Sequence, residues 1–377
     1  MILELAFWVA AALIVYAHVG YPALLVVLAR LRNRPIAAQP PSAGSDLPSV
    51  CLVVAAHDED SVIERKVRNA LALDYPPDRL EVVVASDGST DATVQRALAA
   101  GAHAVLDLPR AGKVRTQDAA VARTQADVVA FSDANSYWRP DALRRLVARF
   151  AETEVGYVCG QVRFTGGEGG NQEGAYWRYE MAVRRLESGL AGVTGGNGAI
   201  YAVRRQAYVV VDERMGHDLS FPFNMVKRGW RPVYEPTALA EEKMVPTVEG
   251  ELARKRRMMS HAWPVVLRGG MLSPRGYGPL YALQIASHRV LRYATPFLHV
   301  VAFAANVPLV AEGPLYAVTL ALQCAFFAAA ALGRFSRLRL TRLAYYYVLV
   351  TFSLAAGLWD YLRTGTPPGW EQPEGTR

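Results

Sequence analysis

A chain of 377 residues with a net charge of +7 and 52% hydrophobic residues is long enough for one large domain plus extra elements, and more apolar than an ordinary soluble protein. Much of the positive charge sits beside hydrophobic segments, so membrane topology explains it better than nucleic acid does, and no nucleic-acid partner is expected. Cys51, Cys159 and Cys324 are odd in number and far apart, which excludes a disulfide framework and a cysteine metal site and suits a reducing compartment.

Residues 2–29 are nearly free of charge and predict one transmembrane helix, since about 20 apolar residues suffice to span. Glu4 lies near its end, at interface depth. Tyr21-Pro22 interrupts the run and no small-residue cleavage site follows, which favours an uncleaved anchor over residues 1–30. Arg30, Arg32 and Arg34 come next and place the following domain in the cytoplasm. Residues 31–48 are rich in proline and form a linker.

From 49 to 275 strands and helices alternate. Ser49–Ala56 is an apolar β-type run, and Ile63, Val67, Ala70 and Leu71 then share one helical face. Leu80–Ala85 is a second strand, 91–100 a helix, 103–108 a third strand and 113–124 a helix. Repeated units of this kind predict an α/β domain with a mostly parallel sheet, covered on both faces. Val128–Phe131 is another buried strand, and Pro140 and Asp141 predict the start of a helix carrying Leu143, Leu146, Val147 and Phe150 on one face. Asp133 and Asn135 fall between them, at the carboxyl end of a strand, where α/β sheets bind ligands. Both are hard oxygen donors suited to Mg²⁺ or Mn²⁺. A capping Asp with a turn Asn is the plain alternative.

Residues 155–165 read as a strand and 172–190 as a long helix. Gly195 to Val203 is a glycine-rich turn entering a strand. A helix near 218–228 stops at Gly229, Arg231–Tyr234 is a short strand, and 249–268 is a basic helix with Arg254, Lys255, Arg256 and Arg257. Residues 276–293 mix apolar positions with His288, Arg289 and Arg292, the pattern of an amphipathic helix lying in the membrane surface. Three hydrophobic runs follow within 294–362, near 294–311, 315–333 and 343–362, and 363–377 is a tail. Arg334, Arg337, Arg339 and Arg342 put the last loop in the cytoplasm, for four crossings with both termini outside.

Several pieces, in this order, resemble a membrane-bound family 2 glycosyltransferase of GT-A fold, a group that includes bacterial polysaccharide synthases and glycolipid-forming enzymes. Val53-Val54-Ala55-Ala56-His57-Asp58-Glu59 is similar to a strand-end Pro-x-Tyr-Asn-Glu that contacts the nucleotide, with only Glu59 matching in full. Ser86-Asp87-Gly88-Ser89-Thr90-Asp91 resembles Asp-Gly-Ser-x-Asp, whose first Asp accepts a hydrogen bond from the base. Gly112-Lys113 resembles a Gly-Lys whose lysine meets diphosphate charge. Asp133-Ala134-Asn135 stands where the family has Asp-x-Asp, with Asn135 lowering the charge of the metal site by one. Gly216-His217-Asp218 resembles Thr-Glu-Asp, whose last Asp is the base, with His217 in place of an acid. Arg254 to Met258 occupies the place of Gln-x-x-Arg-Trp, in which Arg257 matches the arginine while Arg254 and Met258 depart. Glu187 and the stretch Gly195 to Ala199, with Gly196 and Asn197, resemble the wall on the acceptor side.

The resemblance implies inverting transfer from a nucleotide sugar, expected to be a UDP-sugar, to a glycan or lipid acceptor. Asp218 is then the catalytic base. Glu59, Asp87, Lys113, Arg257, Gly196 and Asn197 bind substrate, and Asp133 with Asn135 holds Mg²⁺ or Mn²⁺. It implies a multi-pass protein of the cell (inner) membrane with membrane lipids as neighbours. The loss of Trp at Met258 favours a single transfer over processive synthesis. A non-catalytic nucleotide-sugar-binding scaffold or sensor is the alternative from another class, and retention of Asp87, Asp133 and Asp218 counts against it.

Overall fold

The computed structural model describes residues 1–32, 47–165, 172–243, 248–336 and 338–366. The proline-rich linker and the tail expected from 363 on fall almost wholly outside these residues. The chain opens with helix α1 (Ile2–Arg32). Strand β1 (Val50–Ala56), helix α2 (Asp60–Leu71), β2 (Leu80–Asp87), α3 (Thr93–Ala99), β3 (Ala104–Leu108), α4 (Lys113–Arg123) and β4 (Val128–Asp133) follow in strict alternation. Next come β5 (Tyr137–Trp138), α5 (Ala142–Ala148), β6 (Val155–Thr165), α6 (Gln172–Leu190), β7 (Tyr201–Arg204), α7 (His217–Lys227), β8 (Arg231–Lys243) and α8 (Val248–Leu267). Three long helices close the chain: α9 (Pro279–Glu312), α10 (Pro314–Gly333) and α11 (Arg339–Thr364).

The strands form one sheet in the order β3-β2-β1-β4-β7-β6-β8-β5. The first four are parallel, as the alternation of strand and helix requires, while β7 runs antiparallel to both β4 and β6. Every residue of β1 is buried, because helices cover both faces of the sheet and leave no polar side to alternate with. One face packs α2 and α5 through Ala70, Leu143 and Leu146, the other packs α4, α6 and α7 through Ala120, Met181 and Phe221.

The antiparallel strand matters for function. Tyr201, the first residue of β7, pairs with Phe131 near the end of β4, so the glycine-rich turn before it lies at the same sheet edge as Asp133. Since β6 and β8 are parallel, the far end of β8 reaches that edge too. β8 is much longer than the strand expected at Arg231–Tyr234. Its alternation is interrupted at Glu235-Pro236-Thr237 by a register shift against β6, after which pairing resumes from Leu239 to Lys243. The two-residue β5 pairs with that extension. Helix α5 starts at Ala142 rather than at Pro140, and the Asp141 carboxylate bonds Arg145 at 2.6 Å in place of capping amides.

Helices α1, α9, α10 and α11 are long and apolar enough to cross a membrane, one N-terminal and three C-terminal as expected. The separate interfacial helix over 276–293 is not present: residues 279–312 form one helical stretch, continuous through a π-helical turn at Ile285–Val290. The 34 residues of α9, at about 1.5 Å each, extend well beyond a hydrocarbon core of about 30 Å. Its polar residues His288, Arg289 and Arg292 meet Glu187, Thr194 and Glu180 of the α/β domain. α1 projects in the same way, with Tyr21 and Leu25 packed on Val183 and Leu190 of α6. α11 lies against the domain along much of its length. Its Tyr346 ring meets Tyr176 of α6 at 5.5 Å, Trp263 Nε1 donates to the Leu354 carbonyl at 2.9 Å, and Arg256 pairs with Asp360 at 2.5 Å. Just beyond its end the Thr366 hydroxyl donates to the Ser260 carbonyl at 2.9 Å.

Candidate active site

Of the residues singled out in the sequence, Lys113, Asp133, Asn135, Gly196, Asn197, Asp218 and Arg257 all line one cavity of about 580 Å³. It lies between the carboxyl edge of the sheet and helices α8, α9 and α11. Glu59 and Asp87 do not line it; both are fully buried.

Asp87 ends β2, and its carboxylate accepts from the backbone N–H of Ala111 at 2.7 Å and of Gly112 at 2.9 Å. It thereby fixes the turn that opens α4, in which Gly112 adopts φ 92°, a conformation that favours glycine. This is a different task from the base contact expected for it. The Glu59 amide donates to Thr93 Oγ1 at 2.7 Å, which ties the start of α2 to α3. The fixed turn aims Lys113 across to Asp133, and the two form an ion pair. Asn135 follows in the tight turn closed by the Ser136 amide on the Asp133 carbonyl at 3.2 Å.

The glycine-rich turn forms the opposite wall. A Cβ at Gly196 would overlap the Tyr157 hydroxyl, so only glycine fits. The Gly196 amide donates to the Asp218 carbonyl at 2.6 Å, and the Asn197 side chain donates to the Gly160 carbonyl at 2.6 Å. Both residues hold the wall in place. Asp218 sits in the first turn of α7, where unpaired helix amides favour an anion, and its carboxylate lines the cavity. His217 also borders the cavity, but its ring is engaged by the core. It stacks on Phe221 at 4.0 Å and its Nδ1 meets the Tyr201 hydroxyl at 2.8 Å. Burial, helped by the Lys113 charge, pushes the imidazole down to about 3, so it is neutral and serves the core. Glu187 is buried too, accepting from Tyr21 at 2.5 Å and meeting His288 at 2.8 Å, and it does not line the cavity.

Glu242 and Lys66, both acting on or beside Asp133, were not singled out in the sequence. Glu242, at the end of β8, lines the cavity; burial, and then the nearby Asp133 charge, raise its carboxyl to about 7. Its Oε1 is enclosed without a hydrogen-bond partner. Lys66 is fully buried and donates to the Ser136 carbonyl at 2.5 Å; burial pulls it down to about 7 against the raising effect of Asp133 and Glu242. A lysine on the apolar face of Ile63, Val67 and Ala70 was the available signal for Lys66. Glu242 had none, since its strand was expected to end earlier.

Among the described residues no three His, Cys, Asp or Glu side chains form a ready-made metal cage. Mg²⁺ and Mn²⁺ sites built with phosphates do not need one, because one or two carboxylates, waters and phosphate oxygens complete the shell. Asp133, the Asn135 amide oxygen and the enclosed Glu242 oxygen are a hard-oxygen donor set that fits such an ion.

Residues 51–211 match the family model described as Glycosyl transferase family 2. This part of the chain belongs to glycosyl transferase family 2. The family 2 domain thus contains Asp87, Lys113, Asp133 and Asn135, while Asp218, Glu242 and Arg257 follow it. The chain is 30% identical to a beta-monoglucosyldiacylglycerol synthase of Synechocystis sp. over 66% of its own length and 55% of that protein. An N-acetylglucosaminyltransferase of Rhizobium meliloti is 26% identical over 66% of this chain and 64% of its own. The chain therefore spans between half and two thirds of the length of these curated relatives. Among solved structures, mannosyltransferase PcManGT from Pyrobaculum calidifontis, in complex with GDP-Man and Mn²⁺, superposes with a TM-score of 0.75 at 23% identity. The match covers 95% of this chain and 99% of that one. The fold is GT-A, with the apolar helices included in the likeness.

Proposed function

We propose that the protein is a membrane-embedded, inverting glycosyltransferase that moves a sugar from a nucleotide sugar, taken to be a UDP-sugar, to a hydroxyl of a lipid or glycan. The observation that carries this reading is the convergence of Lys113, Asp133, Asn135, Asp218 and Arg257 on one cavity walled partly by membrane-type helices. Lys113 and Arg257 supply positive charge for the donor diphosphate. Asp133 and Asn135, with Glu242 beside them, hold a divalent cation, which when bound neutralises charge on the departing diphosphate. Asp218 takes the proton of the acceptor hydroxyl as its oxygen bonds the anomeric carbon. The bond from that carbon to the diphosphate oxygen breaks, and the nucleoside diphosphate leaves. The Synechocystis relative, named as a glycolipid synthase, supports a lipid acceptor.

The arginines beside the spans favour a multi-pass protein of the inner membrane with the catalytic domain in the cytoplasm. The contacts of α11 at Tyr346 and Asp360, and of Thr366 just beyond it, with α6 and α8 favour three crossings rather than four. α11 then lies along the cytoplasmic face. The test is incubation of purified membranes with radiolabelled UDP-, GDP- and dTDP-sugars, Mg²⁺ or Mn²⁺ and lipid extract. Label is expected in a lipid or glycan product with at least one donor. No transfer from any of them would overturn the reading.

A further inference from the structure

The cavity has an end that the donor chemistry leaves unexplained. A second cavity of about 110 Å³ adjoins it, and Arg289 and Tyr293 of α9 line both. The smaller one is lined mainly by residues of the long helices, among them His18, Tyr347 and Leu354, with Glu180 of α6, the partner of Arg292, at its wall. Arg289 lies on the π-helical turn of α9, a device that re-aims side chains and is frequent at functional sites. Its guanidinium fills the space where a Cβ of residue 195 would be, so Gly195 lets it in. Nε donates to the Thr194 carbonyl at 3.2 Å and to the Thr194 hydroxyl at 3.1 Å. The same glycine-rich turn holds Asp218 through Gly196, which sets the guanidinium and the proposed base on one short segment.

The Glu180 and Glu187 carboxylates act on Arg289 through space, but each is already claimed by a closer partner. Arg292 pairs with Glu180, and His288 meets Glu187 at 2.8 Å and Glu180 at 3.3 Å. Among the described residues no carboxylate lies within ion-pair distance of Arg289; the Tyr293 hydroxyl is its neighbour. A guanidinium between two cavities, one of them walled by apolar helices, is stabilised by an anion that matches its planar fork.

We propose that Arg289 binds an anionic, phosphate-type group of the acceptor, beside the hydroxyl that faces Asp218. This rests on the transferase reading above and deepens it. The acceptor is an amphiphile with a negative headgroup rather than a neutral diacylglycerol, its apolar part directed toward the long helices.

The test uses the full-length protein in detergent micelles and reads equilibrium binding of fluorescent phosphatidylglycerol and diacylglycerol without donor. One charge-assisted contact predicts a preference for phosphatidylglycerol of about 10- to 100-fold. Arg289→Gln abolishes the preference, and Arg289→Lys keeps part of it, since it retains charge without the fork. Gly195→Ala reproduces the loss with the arginine still present, because the added methyl meets only the movable end of that side chain. Equal binding of the two lipids, or a preference that survives in Arg289→Gln, overturns the proposal. Competition with glycerol 3-phosphate separates the sources of the anion: displacement at matching affinity assigns it to a soluble acceptor, and no displacement to a lipid headgroup. Because binding is read without turnover, a protein that shows the preference yet transfers no sugar refutes the transferase reading and leaves the anion site standing.

Discussion

Asp218 is held at both ends of its chemistry, its carbonyl by the Gly196 amide at 2.6 Å and its carboxylate open to the cavity. Asp218→Asn keeps that shape but cannot take a proton, so turnover is expected to fall about 100- to 10,000-fold. Nucleotide binding, measured by calorimetry, stays near the wild-type value because the donor contacts lie elsewhere. A folded variant with normal turnover removes Asp218 from the mechanism. At the metal site EDTA is expected to stop transfer and Mg²⁺ or Mn²⁺ to restore it, while Asp133→Ala stays inactive at every metal concentration. Full activity in chelator argues against any metal role. His217 gives a pH dependence of stability. Its folded value lies at about 3 and its unfolded value near 6.5, so between these the unfolded chain binds more protons. The contribution is fully present above about pH 6.5 and is lost as pH falls toward 3. The melting temperature of the solubilised protein is expected to drop between pH 7 and pH 5, and less in His217→Phe. Equal slopes in the two proteins would count against this assignment.

At the scale of elements, the long helices do more than anchor. α9 packs its first turns against the domain, and α11 contributes Tyr346, Val350 and Ser353 to the cavity wall. The contacts of α11 with α8 give a topology that labelling can decide. In a Cys324→Ser background, a membrane-impermeant maleimide added to intact cells should react at Gly313→Cys and spare both Ser336→Cys and Thr366→Cys. Labelling at 366 restores the fourth crossing, and labelling at 336 without 313 reverses the orientation.

At the scale of the whole molecule, catalytic domain and helices share one core. Phe223, Trp263 and Val266 pack with Tyr281, Tyr293 and Leu354 in a single cluster, so neither part buries its apolar surface alone. Residues 47–275 expressed without the long helices are expected to aggregate on size-exclusion chromatography, whereas the full chain in detergent elutes as a defined species. A monodisperse, soluble 47–275 fragment would show that this core is dispensable.

Local pattern alone determined the strands β1 to β4, the helices between them, the four long apolar helices, and the strand-end position of Asp133 and Asn135, while Lys113, Asp218 and Arg257 stood out through the resemblance to family 2. Hydrophobic periodicity and strand-end polar residues depend only on near neighbours in the chain, and these are written directly in the sequence. Tertiary structure decided the rest. It took Asp87 away from the cavity, because the Ala111 and Gly112 amides, distant in sequence, claimed its carboxylate, and it gave the His217 ring to Phe221 and Tyr201 although that residue still borders the cavity. It brought Glu242 and Lys66 beside Asp133, because the strand pairing of β8 and the packing of α2 set distances that no local spacing records. It joined 279–293 to the long apolar helix that follows and packed its polar residues on the α/β domain, since polar residues on a helix look alike in sequence whether they meet lipid headgroups or a folded domain.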